Sequence, residues 1–260
     1  MRVNQGKVDY TEKFTGRANE YSKYRPGYPR KIIAILEKEI GLNRRWDVAD
    51  VGSGTGILSR LFLRYGNRVF GVEPNEEMRL SAEKGLGGRF SSFVSVSGRA
   101  EATGLPSHSI DLVLVGQALH WFDQDEARRE FARILTRSGY VSVIYNRRRR
   151  EGGVEMAYSD LIRRYARRGA TVPEADDAFV SRFFGAGLRG RSSVPNSQTL
   201  DLDGLLGRLA SASYMPRKAS RKWASIEEEA KGIIREHGRR GRVALHYDTT
   251  IYLGRIVLKQ

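Results

Sequence analysis

The chain reads as an α/β protein: a doubly wound, mostly parallel sheet carrying a mainly helical insertion. Three observations predict this class. Short apolar runs alternate with stretches of helical period between residues 46 and 146, the pattern of a parallel sheet joined by right-handed crossovers. A glycine-rich segment, DVGSGTG at Asp50–Gly56, stands between the first apolar run and the first helix, where open α/β sheets bind ligands. Beyond residue 147 the strand pattern stops and returns only at Val243, as expected if a helical segment lies over the sheet.

In chain order, WDVADV (46–51) is a short apolar run ending at the glycines. Ile57, Leu58, Leu61, Phe62 and Tyr65 then recur at helical spacing. RVFGVE (68–73) reads as the second strand. NEEMRLSAEK (75–84) reads as a helix, with Asn75 placed to cap it and acids in its first turn. SFVSVSG (92–98) is a strand by alternation, and IDLVLVG (110–116) is apolar enough for burial on both faces. DEARREFARILTRSG predicts a helix stopping at Gly139, and YVSVIYN (140–146) is the fifth strand. Residues 147–240 read as mostly helical, with looser stretches at 185–199 and 214–222. VALHYDTTIYLGRIVL (243–258) reads as two strands turning near Asp248. The expected division is therefore 1–146, 147–240 and 241–260.

Composition bounds the function. The 260 residues contain no cysteine, which excludes disulfides, thiolate zinc sites and a cysteine nucleophile. The first fourteen residues have no apolar core like that of a secretory leader, and no run is long enough to span a membrane, so a cytoplasmic location is expected. The net charge is +15, split as +5 over residues 1–146 and +10 over 147–260. Two readings of that split stand: an arginine-rich composition, or a field that draws anions, whether small acids or nucleic acid.

Three glycines in five positions carry a high entropic cost, so the backbone there must be bare for a reason. A P-loop is excluded, because no Lys-Ser/Thr follows. A dinucleotide fingerprint fits poorly: its third small position is Ile57, and the third glycine arrives one residue early at Gly56. Glu73 ends the second strand 21 residues after Gly52, a spacing suited to ribose hydroxyls.

With "VADVGSGTG" (48–56), "VFGVEPNEEM" (69–78), "GRAEATGLPSHSIDLVLVGQALHWFD" (98–123) and "ILTRSGYVSVIYN" (134–146), the chain resembles the class I S-adenosylmethionine-dependent methyltransferases. "RANEYSKYRPGYP" (17–29), "NSQTLDLDGLLGRLASASYMP" (196–216) and "YDTTIYLGR" (247–255) look like its trans-aconitate methyltransferase-like branch. The resemblance implies a seven-stranded Rossmann-like sheet with a C-terminal antiparallel strand pair, S-adenosylmethionine as cofactor and S-adenosylhomocysteine as product. It implies that Gly52, Ser53 and Gly54 cradle the methionine end. Glu73, followed by Pro74, would take the ribose hydroxyls. Ala100 and Glu101 would meet the adenine edge, and the Gln117 carbonyl the methionine amine. Tyr21 and Arg25 lie in a segment expected to pack over the cofactor, with Arg25 pairing the methionine carboxylate or bracing the surface. Asp50 matches a position that is often acidic, and reads equally as a loop-bracing carboxylate.

Methyl transfer from a sulfonium is an in-line displacement in which the protein aligns and desolvates the partners. His120 and Trp121 follow the fourth strand, where the acceptor should meet the methyl group. His120 reads as a general base or as pocket wall, and Trp121 as a packing surface or indole donor. A carboxylate acceptor is already ionised at neutral pH and needs no base. RRRR (147–150) and the arginines at 163, 164, 167 and 168 read as solvated faces or as an anion-facing cap, with Ser211, Ser213 and Tyr214 near the acceptor. The expected partner is a small anionic metabolite, and no metal site is evident. The alternative is a nucleic-acid methyltransferase using the basic second half, although the Asn/Asp-Pro-Pro-aromatic motif used on exocyclic amines is missing. Oligomeric state is left open.

Overall fold

The computed structural model describes residues 16–167 and 176–258. The N-terminal stretch read against a secretory leader and Arg168 of the arginine stripe lie outside them. Five strands run parallel: β1 (Asp47–Val51), β2 (Arg68–Val72), β3 (Phe93–Val96), β4 (Ile110–Gly116) and β5 (Leu135–Arg148). Two more, β6 (Leu188–Leu200) and β7 (Val243–Gly254), join them antiparallel. The order β3-β2-β1-β4-β5-β7-β6 makes one seven-stranded sheet, as the resemblance implies. The chain reverses direction of travel across the sheet between β1 and β4, which opens the ligand crevice at their C-terminal ends.

Both faces of β4 are buried, as its apolar run predicts. Val113 and Val115 pack with Phe131 of α5 (Gln124–Ile134) and Phe183 of α7 (Asp177–Phe184). Leu112 and Leu114 pack with Leu36 of α2 (Lys31–Ile40) and Phe62 of α3 (Ser59–Tyr65). Asn75 caps α4 (Glu76–Ala82), its side chain accepting from the Met78 N–H at 2.9 Å.

Three elements differ from the sequence reading. Helix α5 stops at Ile134, not Gly139. Leu135 already pairs with Ile110 of β4, and Gly139 has no positive φ, so sheet pairing takes over from the helix before any glycine cap. The stretch read as loose at 185–199 contains β6. As an edge strand it has few buried positions, Val194 and Leu200 among them, and it tolerates Pro195; hydrophobic alternation therefore never marks it. The last strand does not turn at Asp248, which is paired with both Arg147 and Pro195. The antiparallel pair is thus β6 with β7, not two strands after residue 241.

Strand β7 serves two cores. Ile251 to Leu253 face the main sheet layers, whereas Val243, Leu245 and Tyr247 join a third cluster. That cluster holds α6 (Gly153–Tyr165), α8 (Leu202–Ala210) and α9 (Trp223–His237) over the end of the sheet. The N-terminal segment with α1 (Ala18–Tyr24) is strapped to it. The Arg17 guanidinium donates to the carbonyls of Ala210, Ala212 and Met215 at 2.5, 2.7 and 3.0 Å, filling the orphan acceptors after α8. Tyr24 lies against Gly207, where a Cβ would come within 2.2 Å of its ring.

Candidate functional site

The turn from β1 into α3 is pinned to β2: the N–H groups of Gly52 and Ser53 both donate to the Val72 carbonyl, at 2.9 and 3.1 Å. Gly52, Gly54 and Gly56 have φ of 69°, 56° and 76°, a region that side-chain-bearing residues avoid. Their surroundings differ. A Cβ on Gly52 would lie 2.8 Å from the Ala118 Cβ, and one on Gly56 would lie 2.4 Å from Leu86 Cδ1. A Cβ on Gly54 would meet nothing within 4 Å. Two glycines thus serve packing and conformation, while Gly54 presents bare backbone to open space.

Glu73 stands at the end of β2 and is almost fully buried. Its two carboxylate oxygens accept from the Gly54 and Asn75 N–H groups, each at 2.9 Å. Burial raises its pKa, and those two hydrogen bonds oppose the rise. Asp50, 1% exposed, accepts from the Ser59 hydroxyl at 2.6 Å through Oδ2. Its Oδ1 has no hydrogen-bond partner. Burial, partly offset by Ser59 and helped by Glu73, pushes the Asp50 pKa up to about 6. A buried carboxylate oxygen without a donor is costly, and a cationic group in the cleft would satisfy it.

The cleft runs past both acids. One end, ≈ 810 Å³ including its open mouth, is lined by Tyr21, Gly52, Gly54, Glu73, Pro74 and, further along, Ala100, Glu101, Gln117 and Trp121. Glu101 sits in a tight turn closed by reciprocal backbone bonds between Arg99 and Ala102. Its carboxylate accepts from the Asp123 N–H at 2.8 Å and lies 3.5 Å from Arg99 Nε. The other end shares Tyr21, Gly52, Gly54 and Gln117, and adds Arg25, Asp50 and Ser53. Gln117 has a φ of 59°, so the backbone turns sharply just past β4 and redirects its carbonyl. The Arg25 guanidinium donates to Ser211 Oγ and to the Ser211 carbonyl, at 3.1 and 3.0 Å, and lies 4.7 Å over the Tyr21 ring.

Every sequence-predicted cofactor residue therefore lines one continuous cleft, as does Trp121. His120 is not in that lining. Its ring packs on Trp121 at 4.4 Å, and its Nδ1 lies 3.4 Å from the Tyr145 hydroxyl. The RRRR run is held within the fold: Arg147 pairs with Asp177, Arg148 reaches Ser159, and Arg149 pairs with Asp248. In the arginine stripe, Arg163 pairs with Asp160 and Arg164 with Glu229. Ser211 is fully buried, bonded to Arg25 and to the Arg208 carbonyl. Sequence reasoning missed Tyr28, Asn146 and Arg208, which line the Asp50 end. Arg208 had a signal: it sits at helical spacing from Leu205 on an otherwise apolar buried face of α8.

Comparison with known proteins bears on the family and the fold. Residues 49–143 match the family model described as a methyltransferase domain. An uncharacterized methyltransferase of Mycobacterium bovis is 32% identical over 169 residues, 64% of this chain and 66% of that protein. The chain spans 49% to 66% of the length of the first curated relatives it matches. A protein of Anaeromyxobacter dehalogenans, described as a candidate type II methyltransferase, superposes with a TM-score of 0.69 at 22% identity, covering 91% of this chain and all of that one. A phosphoethanolamine N-methyltransferase of Haemonchus contortus, solved with S-adenosylhomocysteine, shares the fold at a TM-score of 0.52 and 13% identity, covering 93% of this chain and 57% of that one. Residues 49–143, a little over a third of the chain, are thus similar to a methyltransferase domain, and the solved structures share its fold.

Proposed function

We propose that the chain as a whole transfers the methyl group of S-adenosylmethionine to a small anionic acceptor, with a carboxylate oxygen as the receiving atom. The residues present suit the donor. Asp50 Oδ1, buried and without a hydrogen-bond partner, would take the methionine ammonium. Gly54 leaves room for the methionine backbone, Glu73 would hold the ribose, and Ala100 with Glu101 would meet the adenine. When bound, the donor supplies an activated methyl: the acceptor oxygen forms its bond to carbon as the sulfur–methyl bond breaks, leaving a methyl ester and S-adenosylhomocysteine.

One observation carries the acceptor class. The described lining of the cleft contains arginines, tyrosines and amides, but no histidine or lysine. Of its carboxylates, Glu73 and Glu101 are engaged by backbone N–H groups, while Asp50 holds Ser59 through Oδ2 and would spend Oδ1 on the donor's ammonium. Burial holds the Tyr28 phenol protonated well above the ordinary tyrosine range. A cleft so lined suits an acceptor that arrives ionised, and the protein's part is to orient it and exclude water. The resemblance of residues 17–29, 196–216 and 247–255 to the trans-aconitate branch supports the same reading.

The test supplies methyl-labelled S-adenosylmethionine with a small-molecule extract and total RNA. Label in the organic fraction that mild alkali releases as methanol is the expected result. Label in the precipitable fraction that ribonuclease destroys would overturn it and turn the positive charge into an RNA footprint.

A further inference from the structure

Arg208 is a charged side chain in the wrong kind of place for structure alone. It lies on the buried face of α8, 7% exposed, between Leu205 and Leu209. Its Nε and Nη1 are buried without a hydrogen-bond partner, and so is the Tyr247 hydroxyl. After burial itself, the groups bearing on it most strongly are the phenols of Tyr158, Tyr247 and Tyr214, and no carboxylate is among them. Among the described residues it forms no ion pair, whereas Arg147, Arg148 and Arg149 are tied to Asp177, Ser159 and Asp248. A buried guanidinium without a counter-ion costs several kcal/mol in order of magnitude, and a methionine would fill similar volume without that cost. Arg208 lines the cleft at the Asp50 end and not at the adenine end.

Charge counting separates its role from that of Arg25. Arg25, Arg208 and Asp50 bring a net single positive charge to this end of the cleft. The donor adds an ammonium, a carboxylate and a sulfonium, again one net positive charge. Arg25, stacked on Tyr21 in the strap, is placed for the single methionine carboxylate. A second buried guanidinium then has no anion left in the donor. Only an acceptor carrying negative charge neutralises it.

We propose that Arg208, positioned by the buried Tyr247 phenol beside it, is the residue that binds the anionic group of the methyl acceptor and so sets acceptor specificity. This rests on the function proposed above. Guanidinium–carboxylate bonds are charge-assisted and directional, which suits an anchor that must place the acceptor in line with the methyl group.

The test uses the full-length protein, its Arg208→Met, Arg208→Lys and Tyr247→Phe variants, and a panel of small mono-, di- and tricarboxylic acids with tritiated-methyl S-adenosylmethionine. Ester formation is read as alkali-released methanol. Cofactor binding is read separately by S-adenosylhomocysteine titration calorimetry, and folding by thermal melting. Expected for R208M is a KM for the best acid raised roughly 10- to 100-fold, with kcat and S-adenosylhomocysteine affinity each within about threefold of the parent. R208K should fall between the two, and Y247F should raise KM by roughly threefold. If R208M does not fold, the R208K and Y247F values decide. Acids methylated with an unchanged KM would overturn the role of Arg208 and leave the proposed function standing. A tenfold loss of S-adenosylhomocysteine affinity with acid KM unchanged would assign the guanidinium to the cofactor. No acid methylated by the parent protein would overturn both.

Discussion

The two walls around the cleft are built by different physics. The sheet wall works through backbone: bare peptide at Gly54, paired N–H groups on Glu73, and a left-handed Gln117 that redirects a carbonyl. The cap wall works through buried side-chain charge: Arg17 on three carbonyls, Arg25 on Ser211, and Arg208 on nothing but phenols. Backbone recognition suits the donor, which is the same molecule throughout such domains. Side-chain recognition suits the acceptor, which can change when one residue changes.

The sharpest way to break this comparison is at Glu73, where the sheet wall relies on a side chain. Glu73→Ala should weaken S-adenosylhomocysteine binding by about 100-fold, the loss of charge-assisted bonds to two ribose hydroxyls. The free protein should lose only about 1–2 kcal/mol, because the Gly54 and Asn75 N–H groups regain water. Calorimetry and denaturant titration read the two separately. A variant that binds the cofactor normally would remove Glu73 from the ribose site.

Next in size is Arg17, which tests whether the cap wall is held by charge. Arg17→Met leaves the carbonyls of Ala210, Ala212 and Met215 without their donors. Burial lowers the Arg17 pKa, and Arg167 and Arg217 add to the lowering, so its anchoring role rests on those hydrogen bonds. Unfolding free energy should drop by about 2–3 kcal/mol, with acceptor turnover falling as the strap loosens. Unchanged urea stability would show that Tyr24 against Gly207 suffices to dock the strap.

These two walls also explain what could be read before any coordinates. The glycine loop, Glu73 at the strand end and Gln117 past the fourth strand lie in contiguous stretches, so local spacing exposes them. So do β1 and β4, whose burial on both faces leaves dense apolar runs, and β3, whose residues are half-buried but alternate. The cap wall assembles residues 17–28, 146, 158, 208–215 and 247, and no local period links them. Strand β6 was illegible for a related reason: an edge strand needs little burial, so LRGRSSVPNSQTL carries polar side chains and a proline. Helix α5 ended early because strand pairing, not a cap, stopped it. His120 reads as a base or as pocket wall from its residue type and its place just past β4, and neither says which way the ring faces.

A smaller effect sharpens the role of Asp50. Burial raises its pKa to about 6, and an ammonium against Oδ1 stabilises only the ionised form. S-adenosylhomocysteine affinity should therefore rise as pH climbs to about 6, by up to about tenfold per unit, and level off above it. Stability of the free protein runs the other way. The folded state holds the proton more tightly than the unfolded chain, so stability falls as pH rises from about 4 to about 6. Asp50→Asn should remove the slope of both profiles below about pH 6. A binding profile that keeps its slope in that variant would move the titrating group elsewhere.

The smallest expected effect separates the two walls at the reaction itself. His120 follows β4 where the acceptor is expected, yet it packs on Trp121 and faces the Tyr145 hydroxyl rather than lining the cleft. A carboxylate acceptor offers an ionised oxygen at neutral pH, so no proton must leave in the transition state. His120→Ala should then lower kcat by less than about threefold, the scale of lost packing behind Trp121, rather than the 100-fold or more typical of a removed general base. The pH–rate profile should keep its shape, since the titration that matters belongs to Asp50 and the acceptor. A hundredfold fall, with a limb near the histidine pKa vanishing in the variant, would make His120 the base. The acceptor would then be a group that must lose a proton, and the cap wall's unpaired arginine would bind a substituent remote from the chemistry.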